Sequence, residues 1–310
     1  DFQLGWQADP EEEKKPEKVI PRIKAMLGAD REFELEWVSV YTFQCRRMQR
    51  FRHGRVLFVG DAAHQVSPFG ARGANSGIQD SDNLCWKLRL VLGGKAPDSL
   101  LDSYSEERVF AADENIMNST RSTDFITPKS RTSLNFRNAV LTLARDHAFA
   151  RTLVNSGRLS VPSFLTGSRL NTPDDDAFAG DMVPGAPMDD APMREDGADF
   201  WLLDRVGNRF MALVHVEDPA AVDASLAREF KALAGATIPL EVVLVAAKPG
   251  RAPEGLRVFA DSKGRFAERY DSAPGTVYLI RPDQHVTARW RAFDDGRVKQ
   301  ALARATCNTL

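Results

Sequence analysis

The stretch from Gly54 to Gly77, GRVLFVGDAAHQVSPFGARGANSG, constrains the fold more than any other part of the chain. Arg55 to Val59 reads as a short apolar strand, and Gly60-Asp61 breaks it where a turn has to begin. Gly70, Gly73 and Gly77 then lay the backbone bare, and apolar residues at Ile78, Leu84, Cys85, Leu88, Val91 and Leu92 follow at helical spacing. The predicted order is strand, polar turn, glycine loop, helix.

Such a loop presents backbone N–H groups and the positive end of a helix dipole to an anion. The glycine spacing is neither G-x-x-x-x-G-K-[ST] nor G-x-G-x-x-G, so neither a P-loop nor the usual dinucleotide fingerprint is present here. A carboxylate at Asp61 would repel a phosphate, yet it suits hydroxyl donors. A flavin meets both demands, because its ribityl chain carries hydroxyls and its reduced ring carries negative charge. On spacing alone, an ordinary strand-to-helix connection with Asp61 as a cap has equal standing.

The 310 residues suit about two domains of ordinary size. With 43% hydrophobic and 27% charged residues there is apolar material for real cores, and a net charge of -2 gives no reason to expect nucleic acid or an anionic membrane as partner. No apolar run approaches the roughly 20 residues that span a bilayer, and the opening DFQLGWQADPEEEKK is unlike a signal peptide, so a cytoplasmic location is expected. Cys45, Cys85 and Cys307 form no C-x-x-C pair, and no metal site is expected. Asp174 to Asp176 lacks a supporting histidine and reads as solvated chain rather than a cation cage.

Along the chain, EEEKK reads as a solvated helix start and Val19 to Leu27 as a helical stripe. Alternation through Trp37, Val38, Val40, Tyr41 and Phe43 predicts strands, and Leu100 to about Leu165 is helical in pattern. Thr172 to Asp196, rich in Pro, Asp and Gly, reads as a linker. Beyond it, FWLLD and RFMALVHV are strand-like, Ala220 to Leu233 is helical and LEVVLVAA is a buried strand. Next come VFADSKGRFAERY, a strand pair in TVYLIRPDQHVTARW turning at Pro282-Asp283, and a helix from Gly296 to Ala305, which together predict a small α/β sandwich.

The segment GRVLFVGDAAHQVSPFGARGANSGIQDSDNLCWKL closely resembles the second flavin-binding motif, the GD motif, of the class A FAD-dependent aromatic hydroxylases, the p-hydroxybenzoate hydroxylase superfamily. Within it the chain is most similar to the phenol and 3-(3-hydroxyphenyl)propionate hydroxylase-like branch, whose members carry a C-terminal thioredoxin-like domain; APDSLLDSYSEER and PGTVYLIRPDQHVTARW extend the likeness. The implied fold is α/β, the second half of a p-hydroxybenzoate-hydroxylase-like FAD-binding fold plus a thioredoxin-like α/β domain. Its divisions are 1–52, the end of a substrate-binding domain; 53–171, the GD-motif part with the following helices; 172–196, a linker; and 197–310, the thioredoxin-like domain.

Carried over residue by residue, the resemblance implies that Asp61, following Gly60, hydrogen-bonds the flavin ribityl chain, and that the Pro68 backbone lies beside the reactive edge of the ring. Gly70 belongs to the same loop, and Gly73, Ala74 and Asn75 start the helix whose backbone faces the pyrimidine end, with Arg72 near that edge. Ser67 stands where a second proline is frequent, and Ala74 where leucine is more usual. His64 reads as structural rather than as a general base. Of Arg46 and Arg47, alternation lets only one face inward.

The resemblance further implies a monooxygenase that uses FAD, NADH or NADPH, and O2 to hydroxylate a small phenolic substrate, most simply as a homodimer. Chemistry supplied by the cofactor agrees with the lack of a Ser-His-Asp cluster. The chain lacks an initiator methionine, and the family's G-x-G-x-x-G unit and D-G motif do not precede it, so a fragment lacking the ADP-binding half is expected. The alternatives are another flavin oxidoreductase of the same fold, such as an epoxidase or a Baeyer–Villiger-like enzyme, and a cofactor-free interaction or dimerisation module.

Overall fold

The computed structural model describes residues 8–154 and 161–309. The chain divides into two compact units, Asp1–Gln44 and Cys45–Leu310. In the first, Asp9 caps α1 (Pro10–Glu13) by accepting the Glu11 backbone N–H at 3.0 Å. α2 (Pro16–Leu27) opens on a proline, where the missing N–H leaves no bond unmade. Residues 31–45 form no strand despite their alternation: Trp37, Tyr41 and Phe43 are exposed, and no strand among the described residues offers them a ladder.

The second unit begins with four short strands, β1 (Arg46–Arg47), β2 (Arg52–His53), β3 (Val56–Leu57) and β4 (His64–Gln65), in which β1 pairs with β4 and β2 with β3, both antiparallel. The strand predicted over Arg55 to Val59 shrinks to β3 because Gly54, at φ 60°, turns the chain just before it and Gly60, at φ 56°, starts a 3-10 turn just after it. Four helices follow: α3 (Arg72–Leu92), α4 (Leu100–Ile126), α5 (Arg131–Asp146) and α6 (Ala148–Val154). Leu84 of α3 and Leu101, Tyr104 and Ala112 of α4 enclose a core with Phe51 and Ala63. By contrast α5 buries only Val140 and leaves Leu134, Phe136, Leu141 and Leu143 exposed.

The remaining elements are β5 (Pro192–Glu195), β6 (Ala198–Trp201), β7 (Phe210–His215), α7 (Ala224–Ala234), β8 (Leu240–Ala246), β9 (Arg257–Ala260), α8 (Arg265–Arg269), β10 (Val277–Ile280), β11 (Val286–Trp290) and α9 (Asp295–Ala305). Their strands form one 7-stranded sheet in the order β11-β10-β7-β8-β9-β5-β6. β7, β8 and β9 run parallel, and the other neighbours pair antiparallel. α7 starts later than its apolar pattern predicts because Pro219–Ala221 makes a 3-10 turn and the Asp223 carboxylate takes the Ser225 and Leu226 N–H groups, both at 2.8 Å.

Successive side chains of β7 point to opposite faces, so Phe210, Ala212 and Val214 join one core while Met211 and Leu213 join another. The first core also receives Trp86 of α3 and Leu100 of α4, which seats the glycine-motif helices on the sheet. Trp86 meets Phe210 edge-on at 5.5 Å between ring centroids. The second core takes Met182, Ala186, Met188 and Ala191 from the Pro- and Asp-rich segment. Within that segment Asp174 pairs with Arg289 at 2.7 Å, Asp175 with Arg297 at 3.0 Å, and Asp176 accepts the Arg291 backbone N–H at 3.0 Å.

Candidate functional site

The glycines of the motif do three different jobs. Gly60 takes a left-handed conformation at φ 56° and Gly70 at φ 84°, both disfavoured for a side chain. Gly77 keeps its usual conformation and is needed for space: a Cβ there would lie 3.3 Å from the Gly60 Cα, so the second turn of α3 rests directly on the 3-10 turn. At Gly73 a Cβ would meet nothing within 4 Å, which leaves the first turn of α3 open on that side.

The outward surface of this loop carries the residues that the sequence singles out. Asp61, Pro68, Gly70, Ala74 and Asn75 are exposed, and Gly60 and Gly73 are half-buried. Asp61 makes no ion pair or side-chain hydrogen bond among the described residues. The Pro68 carbonyl accepts the Ala71 N–H at 3.0 Å, closing the turn that feeds the helix. No side chain caps α3, and its first turn contains no acid. Asn75 instead donates from Nδ2 to the Ala71 carbonyl at 2.7 Å. Arg72 is turned inward, donating to Asn115 Oδ1 and, at 3.1 Å, to the Val161 carbonyl.

The inward surface is braced by α4, through residues that pattern reading misses. Asn115 Nδ2 donates to Ser76 Oγ at 2.7 Å. Ser67 Oγ shares a hydrogen bond with Ser119 Oγ and lies 3.0 Å from Thr123 Oγ1, and Ser119 Oγ donates to the Ser67 and Phe69 carbonyls at 3.3 and 3.2 Å. Ser67, the departure from the family's second proline, thus anchors the loop from behind. The available signal was helical spacing: Arg108, Asn115, Ser119 and Thr123 stand on one stripe of α4, interrupted by Ala111 and Ala112.

One carboxylate joins these layers. Asp80 is fully buried; its Oδ2 accepts the Gly60 N–H at 2.9 Å and His64 Nε2 at 2.7 Å, and its Oδ1 accepts Arg108 Nε at 2.6 Å. Burial pushes the Asp80 carboxyl up, but the hydrogen bonds and charges of His64 and Arg108 outweigh it and hold the group below the ordinary carboxylate value. His64 is buried and stacks on Phe51 at 5.5 Å, which agrees with a structural role. Of the two arginines entering the motif, Arg47 clasps Asp113 of α4 with Nε and Nη2 at 2.6 and 2.7 Å, while Arg46 reaches Gln65 Oε1 at 2.9 Å.

A second buried cluster ties α3 and α4 to the β10–β11 turn. Glu107 accepts from Lys87 Nζ and Asn83 Nδ2, each at 2.7 Å, and from Arg281 Nη1 and Nη2 at 2.7 and 2.9 Å. Arg281 also pairs with Asp283 at 2.7 Å. Burial pushes Lys87 down to about 8 despite its Glu107 partner. Burial pushes Glu107 up, and Arg281 with Lys87 outweighs it and holds its carboxyl well below the usual range.

The exposed loop fits a flavin on its own chemistry. A carboxylate without a protein partner can accept ribityl hydroxyls, and an uncapped helix start beside an open Gly73 can approach a ring that gains negative charge.

Comparison with known proteins agrees. An FAD binding domain family matches residues 2–119. The chain is 31% identical, over 89% of its own length and 51% of the relative's, to the 3-(3-hydroxy-phenyl)propionate/3-hydroxycinnamic acid hydroxylase of Paraburkholderia xenovorans (strain LB400). It is 49% identical over 107 residues, 34% of the chain and 20% of the relative, to a probable NADH-specific resorcinol 4-hydroxylase of Rhodococcus jostii (strain RHA1). Among solved structures, the flavin-dependent monooxygenase PieE in complex with FAD and substrate superposes with a TM-score of 0.77 at 24% identity, covering 99% of this chain and 57% of that one, a likeness of fold. The chain spans about half the length of the curated relatives that it matches along most of its own length. The GD motif, its braced loop and these likenesses agree: residues 2–119 match an FAD binding domain family, and the chain is similar along most of its length to about half of an aromatic hydroxylase.

Proposed function

We propose that Gly60, Asp61, Pro68, Gly70, Gly73, Ala74 and Asn75, with Arg72 contributing its backbone at the start of α3 while its side chain turns inward, hold the flavin of FAD in a monooxygenase that hydroxylates a small phenolic ring with NADH or NADPH and O2. The observation that carries the reading is an exposed, unpartnered carboxylate at Asp61 and a bare helix start at Arg72, set on one loop whose hidden side is fully engaged by α4. Asp61 accepts the ribityl hydroxyls, and the Pro68 backbone lines the reactive edge. The α3 N-terminus stabilises negative charge on the ring by roughly 0.3–1 kcal/mol, and more where water is excluded. FAD, when bound and reduced by the nicotinamide, supplies the oxygen-activating chemistry. The chain's own groups bind, orient and keep the site dry.

Several finer features belong to the same reading. The divisions 1–52, 53–171 and 197–310 are the functional segments, whereas 172–196, expected as a linker, packs into the sheet's core and supplies β5; the last segment is thioredoxin-like: β7-α7-β8 gives a parallel βαβ unit and β10-β11-α9 an antiparallel ββα unit in one sheet. With no C-x-x-C, that segment serves packing rather than redox chemistry. The exposed Leu134 and Phe136 of α5 and Phe149 of α6 support a homodimer. No helix of the described residues is long and apolar enough to cross a membrane, which is compatible with a cytoplasmic enzyme.

Titration of the chain with FAD, followed by flavin fluorescence, tests the proposal. Asp61→Ala should weaken binding roughly tenfold or more, the worth of hydrogen bonds to a charged group, while leaving the melting temperature unchanged because the Asp61 side chain holds no partner among the described residues. A chain that leaves FAD fluorescence unaltered, or an Asp61→Ala variant that binds as well as the parent, refutes it.

A further inference from the structure

One buried group directs its bonds at the proposed flavin loop without touching its exposed surface. Asp80 lies on α3, two turns below the bare N-terminus, yet it accepts the backbone N–H of Gly60 at 2.9 Å, the residue directly before Asp61. It therefore spans the two elements that hold opposite ends of the flavin in the proposed function, on which this inference rests. We infer that Asp80 is a positioning residue that sets the offset between the Asp61 turn and the start of α3, and so the distance over which this chain grips the ribityl chain and the ring together.

Three observations support it. The Gly60 N–H is donated to a side chain of α3 rather than to the backbone, so this bond ties the 3-10 turn directly to that helix. Gly77, one turn before Asp80, brings the helix to within contact of Gly60, so carboxylate and close approach act at the same point. Asp80 is itself immobilised by Arg108 Nε at 2.6 Å from α4 and His64 Nε2 at 2.7 Å from β4, so its position is determined from three sides. A carboxylate needed only to neutralise Arg108 would not need the Gly60 amide; a carboxylate needed only as a turn cap would not need a buried arginine.

That distinction makes the test. Asp80→Glu keeps a charge for Arg108 but lengthens the arm by one methylene. Positioning predicts FAD affinity weakened at least about fivefold even though the protein stays folded, whereas charge balance alone predicts the parental value. Asp80→Asn should weaken FAD roughly tenfold and speed amide hydrogen exchange of the peptide holding Gly60 to Ala63 by about tenfold, with the β7 and β8 amides unchanged. Ser81→Ala, an exposed hydroxyl on the same helix bonded to the Gly77 carbonyl, serves as the control and should match the parent in both readouts. Parental affinity in Asp80→Glu, or parental exchange at Gly60 in Asp80→Asn, overturns the inference. A parent chain that fails to take FAD overturns the flavin reading instead, and exchange at Gly60 in Asp80→Asn still decides whether Asp80 holds the turn.

Discussion

Replacing Glu107 with glutamine tests the buried cluster behind the site. The side chain is almost wholly buried and receives Lys87, Asn83 and Arg281, with Asp283 as the other acid. Glu107→Gln leaves two buried cations facing one carboxylate, an imbalance that costs about 3–5 kcal/mol in comparable buried pairs. Arg281 stays protonated at any accessible pH, so the cheapest relief is loss of the Lys87 proton. Removing a proton from a lysine of unfolded pKa about 10.4 at neutral pH costs about 1.36 kcal/mol for each of roughly 3.4 pH units, or about 4.6 kcal/mol, which caps the damage.

The pH dependence follows from Lys87. In the parent its folded pKa of about 8 lies below the unfolded value, so unfolding takes up a proton between that point and about 10.4, and stability rises with pH through that window. Without Glu107 the folded value drops below neutrality, and the variant's rise begins earlier. The difference between the two proteins should therefore narrow by about 1 kcal/mol between roughly pH 7 and pH 8, by about 0.4 kcal/mol more up to roughly pH 9, and stay constant above that. Urea unfolding followed by tryptophan fluorescence reads this, since the Trp86 ring lies 5.5 Å from Lys87 Nζ. A difference that does not change over that interval, or a total cost under about 1 kcal/mol, refutes the assignment of Lys87 as the yielding charge.

Gly77→Ala sets two effects against each other: helix propensity favours alanine by about 1 kcal/mol, but the new Cβ meets backbone at 3.3 Å in a turn held by Asp80. Overpacking of about 1–3 kcal/mol should win, lowering the melting temperature and weakening FAD together; a higher melting temperature would mean that the turn yields. Acid should destabilise the fold late, because Asp80, Glu107 and Asp283 all titrate below their ordinary values in the folded state. Their stabilisation is complete above about pH 4–5 and is lost as pH falls through the folded values, so stability already falling between about pH 7 and pH 5 would count against it.

Elements whose signals are local were legible in the sequence. The apolar stripe after the glycines became α3, LEVVLVAA became the buried β8, and Pro282-Asp283 turned the last hairpin. Strands that depend on a distant partner were not: Trp37 to Phe43 alternates correctly and still forms none. The exposed loop was legible as a motif, because its glycines and polar residues follow one another in the sequence. The inward half of the site was not, because Glu107 and Arg281 are 174 positions apart, and a polar residue on a helix looks the same whether it faces solvent or a buried partner.

A loop that offers its polar groups to a ligand cannot also use them to hold itself in shape. Among the described residues Asp61 makes no side-chain bond and no side chain caps α3, while Asp80, Ser67 and Arg72 turn the other way and find partners on α4. α4 must then be fixed by something beyond the loop. Glu107 and Arg108 are adjacent, about 100° apart around a helix of 3.6 residues per turn, and they work in different directions: Glu107 into the β10–β11 turn through Arg281, Arg108 into Asp80. The sheet thereby holds α4, α4 holds Asp80, and Asp80 holds the turn that carries Asp61. This order gives a physical reason for a GD motif to be followed by a helix with so many buried polar side chains, and for the C-terminal sheet to stay with it even without a redox pair of its own.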